Sequence, residues 1–142
     1  IHGDLQFDNI LFDNNKKKFQ LIDWRPNFSK SLIIGDLLYD FAKLLGGLEI
    51  NYDLIKQNKF KFKKKKNGIK LYLKKRKNTK ECIKVLEQFV QKKNISFIKV
   101  RLLTGLIFLN MSPLHHSPFD KFLFFFGKKY LYKILKIYEN QK

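Results

Sequence analysis

Asp4, Asn9 and Asp23 lie within the first 23 residues, at a spacing that could assemble a cation site. Asn9 immediately precedes a short apolar run, Ile10-Leu11-Phe12, and Asp23 immediately follows a second, Phe19-Gln20-Leu21-Ile22. The polar cluster from Asp13 to Lys18 reverses the chain between them, so the two runs read as an antiparallel hairpin. Its pairing brings Asn9 and Asp23 to the same open end, where Asp4 arrives on the incoming loop. Two hard oxygen donors suit Mg²⁺, which keeps several waters and takes its remaining ligands from substrate phosphates. A nearby carboxylate not tied to the cation could accept a proton from a hydroxyl nucleophile. Such a set fits phosphoryl transfer, where the protein mostly positions groups and neutralises charge.

The elements that must hold these residues follow along the chain. Gly35-Asp36 opens a helical pattern through about Leu45, with Asp36 placed to cap its first turn and Gly46-Gly47 placed to stop it. Phe60 and Phe62 alternate with lysines, Asn67-Gly68 is a strong two-residue turn signal, and Ile69, Leu71 and Leu73 alternate again. A second, lysine-rich hairpin is therefore expected over 58–75, as a possible insertion. Asn78 and Glu81 are spaced as a capping box for a helix with Ile83, Leu86, Phe89 and Val90 on one face. A helix from Ser96 to about Asn110 is apolar on nearly every side, which predicts a central, buried position. The prolines of Ser112-Pro113-Leu114-His115-His116-Ser117-Pro118 break it, and a last amphipathic helix carries Phe119, Phe122, Leu123, Phe126, Tyr130, Leu131, Ile134 and Tyr138.

Composition bounds the rest. With 142 residues, one domain and a real core are expected. An aromatic content of 15%, in periodic runs, argues against disorder, and the lone Cys82 rules out a disulfide scaffold. The most apolar stretch, Leu102 to Met111, is half the length a bilayer crossing needs, so a soluble, reducing, cytoplasmic setting is expected. The net charge of +18 raises the alternative of a basic module that binds RNA or another polyanion. Only Arg25, Arg76 and Arg101 among the 30 basic residues are arginines, whereas base-edge and bidentate phosphate recognition leans on arginine. Residues with A/T-rich codons make up over half of the chain, so nucleotide bias alone could supply the lysines.

His2-Gly3-Asp4 with Asn9 five residues on, then Ile22-Asp23-Trp24, then Gly35-Asp36 and Asp40-Phe41-Ala42, resembles the catalytic core of the aminoglycoside phosphotransferase and choline kinase family. The resemblance covers residues 1–46. It implies an α+β, mainly helical chain, the C-terminal lobe of a protein-kinase-like fold, with 1–46 as the catalytic and metal-binding core and 78–142 as the helical part. It further implies that Asp4 is the catalytic base, that Asn9 and Asp23 hold Mg²⁺, and that His2, Asp36 and Asp40 support the site. ATP is the implied phosphoryl donor, and the acceptor is a hydroxyl on a sugar, amino alcohol or aminoglycoside-like molecule. His115 and His116 have no Cys, Asp or Glu at metal spacing and read as loop residues that could line the acceptor side.

The sequence also departs from that pattern. No GxGxxG phosphate loop and no strand lysine paired with a helix glutamate stand in it, so a nucleotide-binding N-terminal lobe is expected in cis or in trans. The chain alone is expected to have little activity. Arg25 stands where the family often has an acid.

Overall fold

The computed structural model describes residues 1–26 and 35–140. It is α+β and mainly helical, with two separate two-stranded antiparallel sheets. The first pairs β1 (Ile10–Asp13) with β2 (Lys18–Leu21), Ile10 opposite Leu21 and Asp13 opposite Lys18. A single 3-10 turn, Phe7–Asn9, leads into it. Asp13 Oδ1 accepts from the amides of Asn15 and Lys16, closing the turn through its own side chain. This is the first hairpin expected from the sequence.

Helix α1 (Leu37–Glu49) begins as expected, with Asp36 Oδ1 accepting from Leu38 N at 2.8 Å. It does not stop at Gly46-Gly47. The helix runs to Glu49, and Gly47 serves packing within it: a Cβ there would come within 2.7 Å of the Phe7 ring. A five-residue helix, α2 (Tyr52–Lys56), follows, capped by Asn51 Oδ1 on Leu54 N; it was not expected from the sequence.

The second hairpin, β3 (Phe60–Lys65) and β4 (Gly68–Leu73), falls where alternation placed it. Its turn is shifted by one residue, however. Lys65 pairs with Gly68, so Lys66-Asn67 are the turn residues, and Gly68 takes a φ of +143° that a side chain would strain. Phe60, Phe62, Leu71 and Leu73 face the helices, while Lys61, Lys63, Lys70 and Tyr72 share the outer face.

Helix α3 (Thr79–Lys92) starts without the expected capping box, since Asn78 makes no side-chain cap hydrogen bond. Asn78 sits at φ −84°, ψ 3°, already near helical backbone, instead of the extended conformation a capping side chain needs. Helix α4 (Phe97–Met111) packs against both α1 and α5 (Phe119–Glu139) and is central, as its composition implied. It is not buried on every side: Leu106 is half exposed. The apolar stretch is also longer than Leu102 to Met111. An 18-residue window, Phe97–Leu114, has a mean hydropathy of 1.3 and is one-third buried within the fold. A 3-10 turn, Ser112–Leu114, and a cis Ser117–Pro118 peptide connect α4 to α5.

Two hydrophobic clusters share α4. Phe41, Ala42 and Leu45 of α1 meet Val90 of α3 and Phe97 and Val100 of α4. Ile50, Ile55 and Phe60 meet Phe108 of α4 and Phe119, Phe122, Leu123, Tyr130 and Ile134 of α5. On α5 the rings of Phe119, Phe122, Phe126 and Tyr130 form a nearly parallel row, with centroids 5.5–6.2 Å apart. That row is the consequence of three- and four-residue spacing on one helix face. Thr104, fully buried, sets its hydroxyl 2.8 Å from Val100 O and 3.2 Å from Ala42 O, fixing α4 against α1.

Candidate functional site

The loop before β1 is held by one carboxylate from α1. Asp40, 3% exposed, accepts from the His2 amide through Oδ2 at 2.7 Å and from the Gly3 amide through Oδ1 at 2.9 Å. Charged acceptors make such bonds about twice as strong as neutral ones, so the loop is anchored to the helix at two adjacent residues. Gly3 has φ +80°, and a Cβ there would fall 2.8 Å from the Arg25 Cβ. Both facts demand glycine between His2 and Asp4.

His2 ties the loop to the hairpin. Its Nδ1 accepts from Asp4 N at 3.3 Å, which assigns the proton to Nε2, and Nε2 donates to Ile22 O at 2.9 Å. The ring stacks on Trp24 with centroids 4.7 Å apart. Arg25 N donates to His2 O at 3.0 Å, and the Arg25 guanidinium lies over Tyr39. Arg25, noted in the sequence as a departure from the resembled pattern, thus braces the loop.

Asn9 is buried and donates from Nδ2 to Asp4 O at 2.9 Å, which leaves its Oδ1 as the atom to face a cation. Ile22 N donates to Asn9 O at 3.0 Å, so the ladder extends one pair beyond β1 and β2. Asp23 is the next residue, exposed, with φ +57°. Aspartate tolerates that left-handed backbone better than most residues. The backbone therefore brings Asp4, Asn9 and Asp23 to one end of the hairpin. Among the described residues no group of three or more His, Cys, Asp or Glu could hold a metal ion. A cation here could draw only on the Asn9 amide oxygen and a carboxylate, hard donors of the kind Mg²⁺ accepts when waters and phosphates fill the rest.

Asp4 has a partner that the sequence reading missed. Lys43 of α1, 9% exposed, puts Nζ 2.6 Å from Asp4 Oδ1, as an ion pair rather than along a hydrogen-bond axis. Lys43 follows Asp40 by three residues on the same helix face, inside the apolar run Phe41-Ala42-Lys43-Leu44-Leu45. A lone charge in such a run was the available signal. Beside it lies a cavity of about 60 Å³ lined by Gln6, Asp8, Lys43, Asn51, Tyr52 and Met111, with room for a water or two. Burial raises the Tyr52 pKa, and the negative charges of Asp4 and Asp8 raise it further.

Asp36 caps α1, and among the described residues no hydrogen bond or ion pair joins its carboxylate to Asp4, Asn9 or Asp23. His115 stands beyond the cavity, its ring 6.3 Å from Tyr52 and edge-on to Phe119 at 4.9 Å. Its Nε2 is buried without a hydrogen bond among the described residues, and burial, with the charge of His116 second, lowers its pKa. His116 is exposed.

Comparison of the chain with protein-family models, curated proteins and solved structures finds no match.

Proposed function

We propose that the chain is the catalytic lobe of a protein-kinase-like phosphotransferase that moves the γ-phosphoryl group of ATP to a hydroxyl on a small molecule. One observation carries the reading. Asp40 and His2 bind the loop, the hairpin end and α1 into one hydrogen-bonded unit around Asp4, Asn9 and Asp23. That three motifs separated in sequence meet in one unit supports phosphoryl transfer as its chemistry.

In this reading Asn9 Oδ1 and the Asp23 carboxylate hold Mg²⁺, and Asp4 takes the proton of the acceptor hydroxyl. The bound cation and nucleotide supply charge neutralisation and the phosphoryl group. Lys43 fixes one oxygen of Asp4 and leaves Oδ2 to face the acceptor. His2 and Asp40 hold the loop against rotation, and Asp36 acts on the site only by starting α1. His115 and Tyr52 border the acceptor side, where a second chain segment or lobe would bring the nucleotide. A cytoplasmic setting, where ATP and Mg²⁺ abound, belongs to the same reading.

The test uses Mn²⁺ as a paramagnetic stand-in for Mg²⁺ on the chain itself. Amide resonances of Asn9, Ile22 and Asp23 should broaden first, and Asp23→Asn should remove the effect. Broadening centred elsewhere, or unchanged in that variant, would overturn the metal assignment.

A second reading has one specific observation behind it. On the outer face of the β3–β4 hairpin Lys63 lies directly opposite Lys70, a like-charge pair that costs stability unless an anion bridges it. A polyanion such as RNA would be bound there through its backbone, weakly and with strong salt dependence.

A further inference from the structure

A second cleft, remote from Asp4, has the features of a ligand site. It is a half-open groove of about 430 Å³ between the inner face of β4, α5 and the end of α1. Glu49, which borders it, stands six residues beyond Lys43, roughly 9 Å along α1 and on another face of that helix. The walls are apolar: Leu71 and Leu73 from the hairpin, and Phe122, Phe126 and Ile134 from α5. That size and lining match pockets that take small organic ligands.

The polar groups converge on one chemistry. Glu49 is paired with Lys75, and Arg101 sits 3.9 Å from Glu87 with its guanidinium over the Phe97 ring. Lys129 and Lys133 make no ion pair among the described residues and stand four apart on one face of α5, where like charges repel. Between them in sequence, Tyr130 is 9% exposed and lines the cleft; its hydroxyl lies near the Arg101 guanidinium and the Glu49 carboxylate, and among the described residues it makes no hydrogen bond of good geometry. A buried donor left unmade is costly, and a ligand oxygen would remove that cost.

We propose that this cleft binds a medium-chain fatty carboxylate, with its chain against Leu71, Leu73, Phe122 and Phe126 and its head between Lys129, Lys133 and the Tyr130 hydroxyl. The proposal goes beyond phosphoryl transfer and stands independently of it. A carboxylate fits better than a phosphate monoester, because Glu49 borders the same cleft and repels a dianion more than a monoanion, and the one guanidinium there already faces Glu87. The concave, cation-rimmed shape suits a single chain rather than a bilayer.

The test is calorimetric titration of the whole chain with decanoate, decyl phosphate, 1-decanol and decyltrimethylammonium. Decanoate should bind with a Kd on the order of 10 µM, decanol at least about 10-fold more weakly, and the cation not at all. Tyr130→Phe should weaken decanoate by about 5- to 10-fold, and Lys133→Gln by about 3-fold or more, while Lys128→Gln on the same helix changes nothing. Lys133 is exposed, so its variant keeps the test decisive if Tyr130→Phe unfolds. Absent decanoate binding, equal affinity for decanol, tighter binding of decyl phosphate, or equal effects of Lys128→Gln and Lys133→Gln would each overturn the proposal.

Discussion

Lys43 Nζ lies 2.6 Å from Asp4 Oδ1 across 39 residues of sequence, and the two partners are not equally buried: Lys43 is 9% exposed and Asp4 25%. The asymmetry decides which half of the pair is harder to lose. Asp4→Asn strands an ammonium in the core and should cost about 2–4 kcal/mol, whereas Lys43→Met leaves a carboxylate that water can reach and should cost about 1–2 kcal/mol. Urea unfolding of the two variants checks the order. A larger loss for Lys43→Met would mean that packing of the lysine stem, rather than charge, dominates the site.

The proposed chemistry separates the two carboxylates. With a nucleotide-binding lobe joined to the chain, Asp4→Asn should lower turnover by roughly 10²- to 10⁴-fold and leave nucleotide affinity nearly unchanged. Asp23→Asn should weaken Mg²⁺ and nucleotide binding together, because it would withdraw a negative charge from the residues proposed to hold the cation. Steady-state kinetics and nucleotide titration distinguish the two. Equal, small effects would show that neither carboxylate has its assigned role.

His115 supplies a pH dependence. Burial lowers its pKa from 6.5 and the His116 charge adds to this, so the unfolded chain binds more protons than the folded one just below that value. Its contribution to stability is therefore complete above about pH 6.5 and is lost as the pH falls through the lowered value. Tyr52 and Phe119 face the ring, and neither carries a charge that would reverse the sign. Urea midpoints between pH 7.5 and 5.5 should fall more steeply in the wild type than in His115→Gln.

The helix crossing gives a paired test of glycine. A Cβ at Gly105 would lie 2.6 Å from both Cγ and Cδ2 of Leu131, whereas a Cβ at Gly46 meets nothing nearer than 3.6 Å, on the Phe108 ring. Gly105→Ala should destabilise by about 1–3 kcal/mol through overpacking. Gly46→Ala should be neutral or stabilise by up to about 1 kcal/mol, since it relieves the entropy cost of glycine in a helix. Thermal unfolding of both variants gives the comparison.

What could be read from the sequence was what neighbouring residues decide. The first hairpin, the Asp36 cap and the alternation of Phe60, Phe62, Leu71 and Leu73 are local patterns, and all three appear in the fold. The Asp40 clamp joins residues 37 and 38 apart, and no local pattern reports its geometry. Gly46-Gly47 carried a stop signal that tertiary contact with Phe7 outweighed. The five residues of α2 are too few to show a helical period. The Lys43 partnership was hidden for a further reason: lysine is so common here that one more, even in an apolar run, did not stand out.

The β1–β2 hairpin leaves Leu11, Phe12 and Phe19 about half or more exposed, and among the described residues each of its strands has an unpaired edge. Open apolar edges of this kind invite chains to pair with one another. Mutual repulsion of molecules carrying +18 opposes that pairing, and it acts over only about 8 Å at physiological ionic strength. The colloidal behaviour of the chain is therefore set by salt: dilute buffers keep copies apart, and concentrated ones let the hairpin edges meet.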